Sequence, residues 1–257
     1  MDREADTGGI LGQTMDVLAR AGREVALYVL FLGLVGGIGG LLGLVDIDGE
    51  IFSARLAGGE WSTTDYADAT TAMLAGLFGI AHAILYVIAS YWLLRRMLPG
   101  IGRQLAEGSS FVAYLLMSIL AFLGMMLGFV LLIIPGLIVL VRWSAANGML
   151  LSRGCGITES LGESWDATKG HGFSVFLAGL VLSIAIAILT AIVAAPFALF
   201  LTQSAVLEAG SMSLATGIAV ALQSFGDAFG NSVMLALSIA VFHLVSPADE
   251  GVAEVFE

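Results

Sequence analysis

Residues 173–207 read FSVFLAGLVLSIAIAILTAIVAAPFALFLTQSAVL, without one charged side chain. A helix that crosses a bilayer needs about 20 consecutive, mostly apolar residues. This stretch alone therefore points to a membrane protein. Working outward, 25–45, 69–94 and 108–141 are also uncharged, and 209–248 carries only Asp227. The bilayer core offers no water to unpaired backbone groups, so such stretches fold as helices. The fold expected is all-α: a polytopic helical membrane protein with about six transmembrane helices and amphipathic elbows at the interface. One membrane domain fills 1–257, with a cytoplasmic amphipathic lead (1–24), a transmembrane bundle (25–245) and an acidic tail (246–257).

Composition agrees with this reading. Of 257 residues, 58% are hydrophobic and 12% charged, against about 25% charged in soluble domains. Glycine, present 33 times, is better tolerated in membrane helices than in soluble ones. The net charge of −11 argues against nucleic acid, which needs a basic footprint, and against a polybasic lipid patch. Cys155 is the one cysteine, so no internal disulfide forms. The first apolar stretch, 25–45, is longer than a secretory signal core, and an uncleaved signal-anchor is expected.

Basic residues set orientation. Arg3, Arg20 and Arg23 precede span one, and Arg95, Arg96 and Arg103 follow span two. Arg153 and Lys169 lie before span five. Only Arg55 sits in 46–68, beside Asp46, Asp48, Glu50, Glu60, Asp65 and Asp68. This places both termini in the cytoplasm and 46–68 outside. As one helix, 108–141 would run about 51 Å against a hydrocarbon core of about 30 Å. Two readings are open. In the first, Pro135-Gly136 turns the chain between span three (110–133) and a short span four (137–152), keeping Arg153 and Lys169 inside. In the second, 108–141 is one kinked, tilted helix. The charge rule favours the hairpin. Span five covers 173–195, ended or kinked by Pro196. An outer turn follows over 203–212 with Glu208 and Gly210, and span six returns within 213–245.

Two segments read as amphipathic elbows before a span. In 10–23, Leu11, Met15 and Leu18 share a face, with Asp16 and Arg20 at pair spacing. In 157–169, Ile157, Leu161 and Trp165 share a face, while Glu159, Glu163, Asp166 and Lys169 lie elsewhere. The likeness leaves room for a weak duplication; equally, any helix leading into a membrane takes this form.

Residues 132–176 carry Ile134-Pro135-Gly136, then Arg142, then Ser164-Trp165, Thr168 and Gly170 before an apolar run. This pattern resembles bacterial integral membrane proteins related to the membrane domain attached to some glycerophosphodiester phosphodiesterases. It is also similar to the YciC-like inner-membrane proteins. The resemblance implies a helical inner-membrane protein and makes Glu163, Ser164, Trp165, Thr168 and Lys169 a candidate interfacial elbow. An acidic residue common after the short span in such proteins is absent, and Arg153 sits near that place.

Charged residues within spans are costly and draw attention. Arg142 and Asp227 are the candidate intramembrane polar site. Arg142 either holds an anionic headgroup or pairs with a carboxylate, Asp227 or Glu163, or with carbonyls freed near Pro135. Asp227 is either a proton or ion site or a residue at the outer face where the last helix starts; the second is preferred. His82 and His243 lie in spans without carboxylate or cysteine at metal spacing, and hydrogen-bonded helix packing is expected for both. His171 is expected to be solvated. Gly33/Gly37, Gly36/Gly40 and Gly39/Gly43 are overlapping small-xxx-small pairs that let helix backbones approach. They serve packing against another span or, alternatively, a dimer face.

No reaction motif stands out. There is no Gly-x-Ser-x-Gly elbow, and no histidine is followed by Arg-Gly. A soluble barrel of about 250 residues has no room beside the spans. The expectation is a non-catalytic inner-membrane module without cofactor, serving envelope or lipid homeostasis. Its partners are the lipid bilayer and a protein partner or a second copy. The alternative is a small transporter or channel, with a membrane-embedded enzyme behind both.

Overall fold

A computed structural model describes residues 5–42, 44, 69–107, 109–204 and 214–246. Residues 46–68 with Arg55 and its acidic companions, Gly43, the turn over 205–212 and the tail after Ser246 lie outside that set. Among the described residues there is no strand. The helices are α1 (Thr7–Arg20), α2 (Gly22–Leu41), α3 (Ala69–Gly100), α4 (Phe111–Leu131), α5 (Ile133–Arg142), the single turn α6 (Ala146–Gly148), α7 (Ile157–Ala167), α8 (Gly172–Ser204) and α9 (Leu214–Val245). A π-helical turn, Met149–Arg153, follows α6. Six segments among the described residues are long and apolar enough to cross a membrane: Gly22–Leu41, Thr70–Gly100, Phe111–Leu131, Ile133–Arg153, Gly172–Val193 and Val220–Val245. The protein is an all-α polytopic helical protein. Its outward-facing side chains fit lipid: Met73, Leu77, Ile80, Ile84 and Ile88 form an exposed stripe on α3, far more apolar surface than water tolerates.

Several boundaries differ from the sequence expectation. The chain does turn back after α4, but at Leu132 (φ −167°, ψ 149°) rather than at Pro135-Gly136. Pro135 falls in the first turn of α5, where its missing N–H costs nothing. The two helices run antiparallel and touch through backbone: a Cβ on Gly128 would stand 2.9 Å from Gly136 Cα. The fourth span is not one short helix. It breaks after Arg142 and resumes as α6 and the π turn. Pro196 does not end α8, which continues to Ser204. Arg95 and Arg96 belong to α3 rather than to a loop, each over an aromatic ring one turn back: Arg95 over Tyr91 at 5.5 Å and Arg96 over Trp92 at 5.9 Å.

The chain divides into two compact units. The first comprises 1–25, 90–184 and 232–257, the second 26–89 and 185–231. In the first, Leu93, Leu94, Met97, Met149, Leu151 and Phe242 are fully buried. Helix α1 starts at Asp6, whose carboxylate accepts from Gly9 N at 2.6 Å, satisfying one of the free donors of a helix start. It buries Ile10, Thr14 and Val17 and leaves Met15 exposed. The face carrying Met15 is thus free for the membrane interface. Arg20 donates to the carbonyl of Gly100 at 2.8 Å, capping α3.

In the second unit α2 runs antiparallel to α9 with its glycines against it. Gly33 meets Phe225, Gly36 meets Ser224, and a Cβ on Gly37 or Gly40 would stand 2.9 Å from Ala221 Cβ or 2.5 Å from Val220 Cβ. Such contact replaces the hydrophobic drive that lipid removes.

Candidate functional site

The elbow residues singled out in the sequence meet the break between α5 and α6. A helix end leaves its last carbonyls without intrahelical partners. The last carbonyl of α5, that of Arg142, accepts from Ser164 Oγ on α7 at 2.7 Å. The same hydroxyl accepts from Ala145 N at 3.1 Å, across the break. One side chain thus joins both sides of the interruption. Thr168 Oγ1 donates to the carbonyl of Ser164 at 2.8 Å and lies 3.4 Å from that of Arg142. On the other side of the break, Ser238 of α9 donates to the carbonyl of Ser144 at 2.6 Å and accepts from Asn147 Nδ2 at 3.1 Å. Ser160, Ser164 and Thr168 are all fully buried. Each backbone group served this way avoids a cost of about 1–3 kcal/mol.

The Arg142 guanidinium lies over the Trp165 ring, 5.8 Å from its centroid. Its Nη1 is buried and makes no hydrogen bond. The neighbouring Trp143 ring packs onto Gly124 of α4. Glu163 is not the partner of Arg142: it pairs with Arg153 at 3.3 Å. Lys169 pairs with Asp166 at 2.6 Å on the exposed side of the elbow. Beside Arg153 and Glu163, burial pushes the Cys155 thiol up to about 11; the carboxylates of Glu163 and Glu159 add to this and Arg153 opposes it. A cleft of about 260 Å³ lies alongside, lined by Met149, Arg153, Glu163, Asp166, Ala167, Val245 and Ser246.

Asp227 belongs to the second unit. It does not mark the start of the last helix but lies well inside α9, with an exposed side chain. The Tyr86 hydroxyl donates to its carbonyl at 3.2 Å. Nearby, Asn231 donates to Tyr28 at 2.6 Å. His82 packs against Phe78 and Tyr86, but its Nε2 is buried without a hydrogen bond, as is His243 Nδ1 in the first unit. The hydrogen bonds expected at those nitrogens are not made. His171 is half-buried in the turn between α7 and α8. Among the described residues no group of three His, Cys, Asp or Glu side chains could hold a metal ion.

Sequence reasoning missed Ser144, Asn147, Ser238 and the Tyr28–Asn231 pair. A lone hydroxyl or amide in an apolar run was their signal, and it names no partner. No protein-family model, no curated protein and no solved structure matches the chain.

Proposed function

We propose that the protein is a non-catalytic integral membrane module of a bacterial inner membrane, with both termini cytoplasmic, serving envelope or lipid homeostasis through a protein partner. The observation that carries this is how the motif side chains are used. Ser164 and Thr168 close the end of α5, and Arg153 and Glu163 neutralise each other. The Arg142 guanidinium stacks on Trp165 with its buried Nη1 unsatisfied, and a guanidinium in that state is suited to a phosphate headgroup that reaches it from the interface. Deleting the gene and measuring phospholipid composition and sensitivity to envelope stress tests the reading. A changed profile restored by the intact chain supports it, and an unchanged profile under both measurements overturns it.

One observation favours the transporter reading. Asp227 presents an exposed carboxylate within α9, and carboxylates inside spans often mark ion or proton paths. In proteoliposomes the module reading expects proton and monovalent-cation flux at the protein-free background. Flux above background that Asp227→Asn abolishes decides for transport.

A further inference from the structure

We propose that the α4–α5 hairpin is a re-entrant wedge. It enters one leaflet, turns at Leu132 in the hydrocarbon and returns to the same face, so the surface it offers fits the acyl chains of a single leaflet.

The argument starts at the Arg142 end. Helix α5 is fastened there to α7 through Ser164, with Thr168 alongside. The next residue, Lys169, holds Asp166 in an ion pair whose side chains are 62% and 69% exposed. An exposed pair of charges belongs among water and headgroups, because the bilayer centre penalises it heavily. Arg142 therefore lies near the interface, where Trp143 and Trp165 are also at home.

From that level α5 has ten residues in which to travel, about 15 Å. The hydrocarbon core is about 30 Å thick, so the turn reaches only its middle. The chemistry of the turn agrees. Val130, Leu131, Leu132, Ile133 and Ile134 are 66–73% exposed. A turn in water would carry Gly, Asn, Asp or Ser instead. The nearest charged residues in sequence are Glu107 and Arg142. The backbone is suited to lipid as well: Leu132 N donates to Gly128 O at 3.0 Å, Gly136 N lies 3.4 Å from Leu132 O, and Pro135 brings no N–H.

Helix α4 is longer, 21 residues; one face of its first half packs on neighbouring helices, while Val112, Leu116, Ile119 and Leu120 on the other are exposed. Tyr114 and Met117 are buried, Ser160 of α7 reaches the Met117 sulfur at 3.3 Å, and Tyr91 packs edge-on to Phe111 and tilted against Tyr114. Only the part beyond Gly124, which receives Trp143, extends past the interface with α5. The segments 111–131 and 133–153 then do not cross, and the wedge adds cross-section to one leaflet alone.

The test uses the full chain with Cys155→Ser and a single cysteine, Leu132→Cys or, as the aqueous reference, Lys169→Cys. In membranes opened to both sides, an impermeant maleimide is expected to label Lys169→Cys and to label Leu132→Cys at least about tenfold more slowly, since a thiol in apolar surroundings stays protonated. A bimane on residue 132 is expected to be quenched more by lipids carrying a nitroxide near the chain middle than near the carboxyl end. Labelling of Leu132→Cys as fast as Lys169→Cys, or stronger quenching by the shallow nitroxide, overturns the wedge. Should Leu132→Cys fail to fold, Val130→Cys on the same tip gives the same readouts.

Discussion

The seam between α2 and α9 and the joint between α5 and α7 hold helices together by opposite means. At the seam, four glycines of α2 remove every atom that would keep α9 away. At the joint, the backbone is broken and three buried hydroxyls take up the groups the break leaves over. The first works by having no side chains, the second by having particular ones. Lipid is as apolar as leucine, so helices in a membrane associate through close contact and hydrogen bonds rather than through hydrophobic burial. The two regions isolate these two forces. A seam is unforgiving of volume; a joint is unforgiving of lost donors and acceptors.

The sharpest way to break the comparison is to add volume to the seam. Gly36→Leu drives a side chain into Ser224, with no flexible end to yield. Overpacking typically costs 1–3 kcal/mol and here is expected at about 3 kcal/mol or more, read as a large fall in Tm in detergent or loss of folded protein. An unchanged Tm with a changed oligomer size would instead make the glycines a face between copies.

Ser164→Ala tests the joint. It adds no volume, strands the N–H of Ala145 and leaves the carbonyl of Arg142 only the longer contact from Thr168. The expected loss is about 2–3 kcal/mol. A loss below about 0.5 kcal/mol would mean that water reaches the break and that the joint does not depend on the hydroxyl.

Arg142→Leu should do least to stability. Its guanidinium stacks on Trp165, a contact worth about 0.5–1 kcal/mol. Phospholipid analysis of the purified variant is expected to show less co-purifying anionic lipid at nearly unchanged Tm. Lipid content equal to the original chain would remove the headgroup role. A loss of several kcal/mol would reveal a carboxylate left uncompensated beside Arg142.

The seam was legible in the sequence because glycine at four-residue spacing states a face. The long apolar helices were legible because apolar length is a one-dimensional property. The joint was only half legible. Its residues, Arg142, Ser164, Trp165 and Thr168, stood out by pattern, yet their partners are backbone atoms far off in the chain, and no periodicity encodes those. Proline breaks helices, so the sequence points to a turn at Pro135; a first-turn proline is the exception, and Leu132 gives no sign of its extended backbone. At Pro196, of the two readings, an ended or a kinked helix, the first falls, since a membrane helix can continue through proline and α8 runs on to Ser204. Asp227 was placed at a helix start on the cost of burying charge, whereas α9 carries it on an exposed face.

The Ser164 bond spans 22 residues of chain, and this separation has a consequence in time. Synthesis proceeds at about 5–20 residues per second, so α5 is finished about 1–4 seconds before the hydroxyl that closes its end is made. For that interval the carbonyl of Arg142 and the N–H of Ala145 have no permanent partner. The hairpin can settle fully only once α7 has followed. The order of assembly is thereby written into the chain: the elbow is the latch, and the hairpin it secures cannot be complete before it.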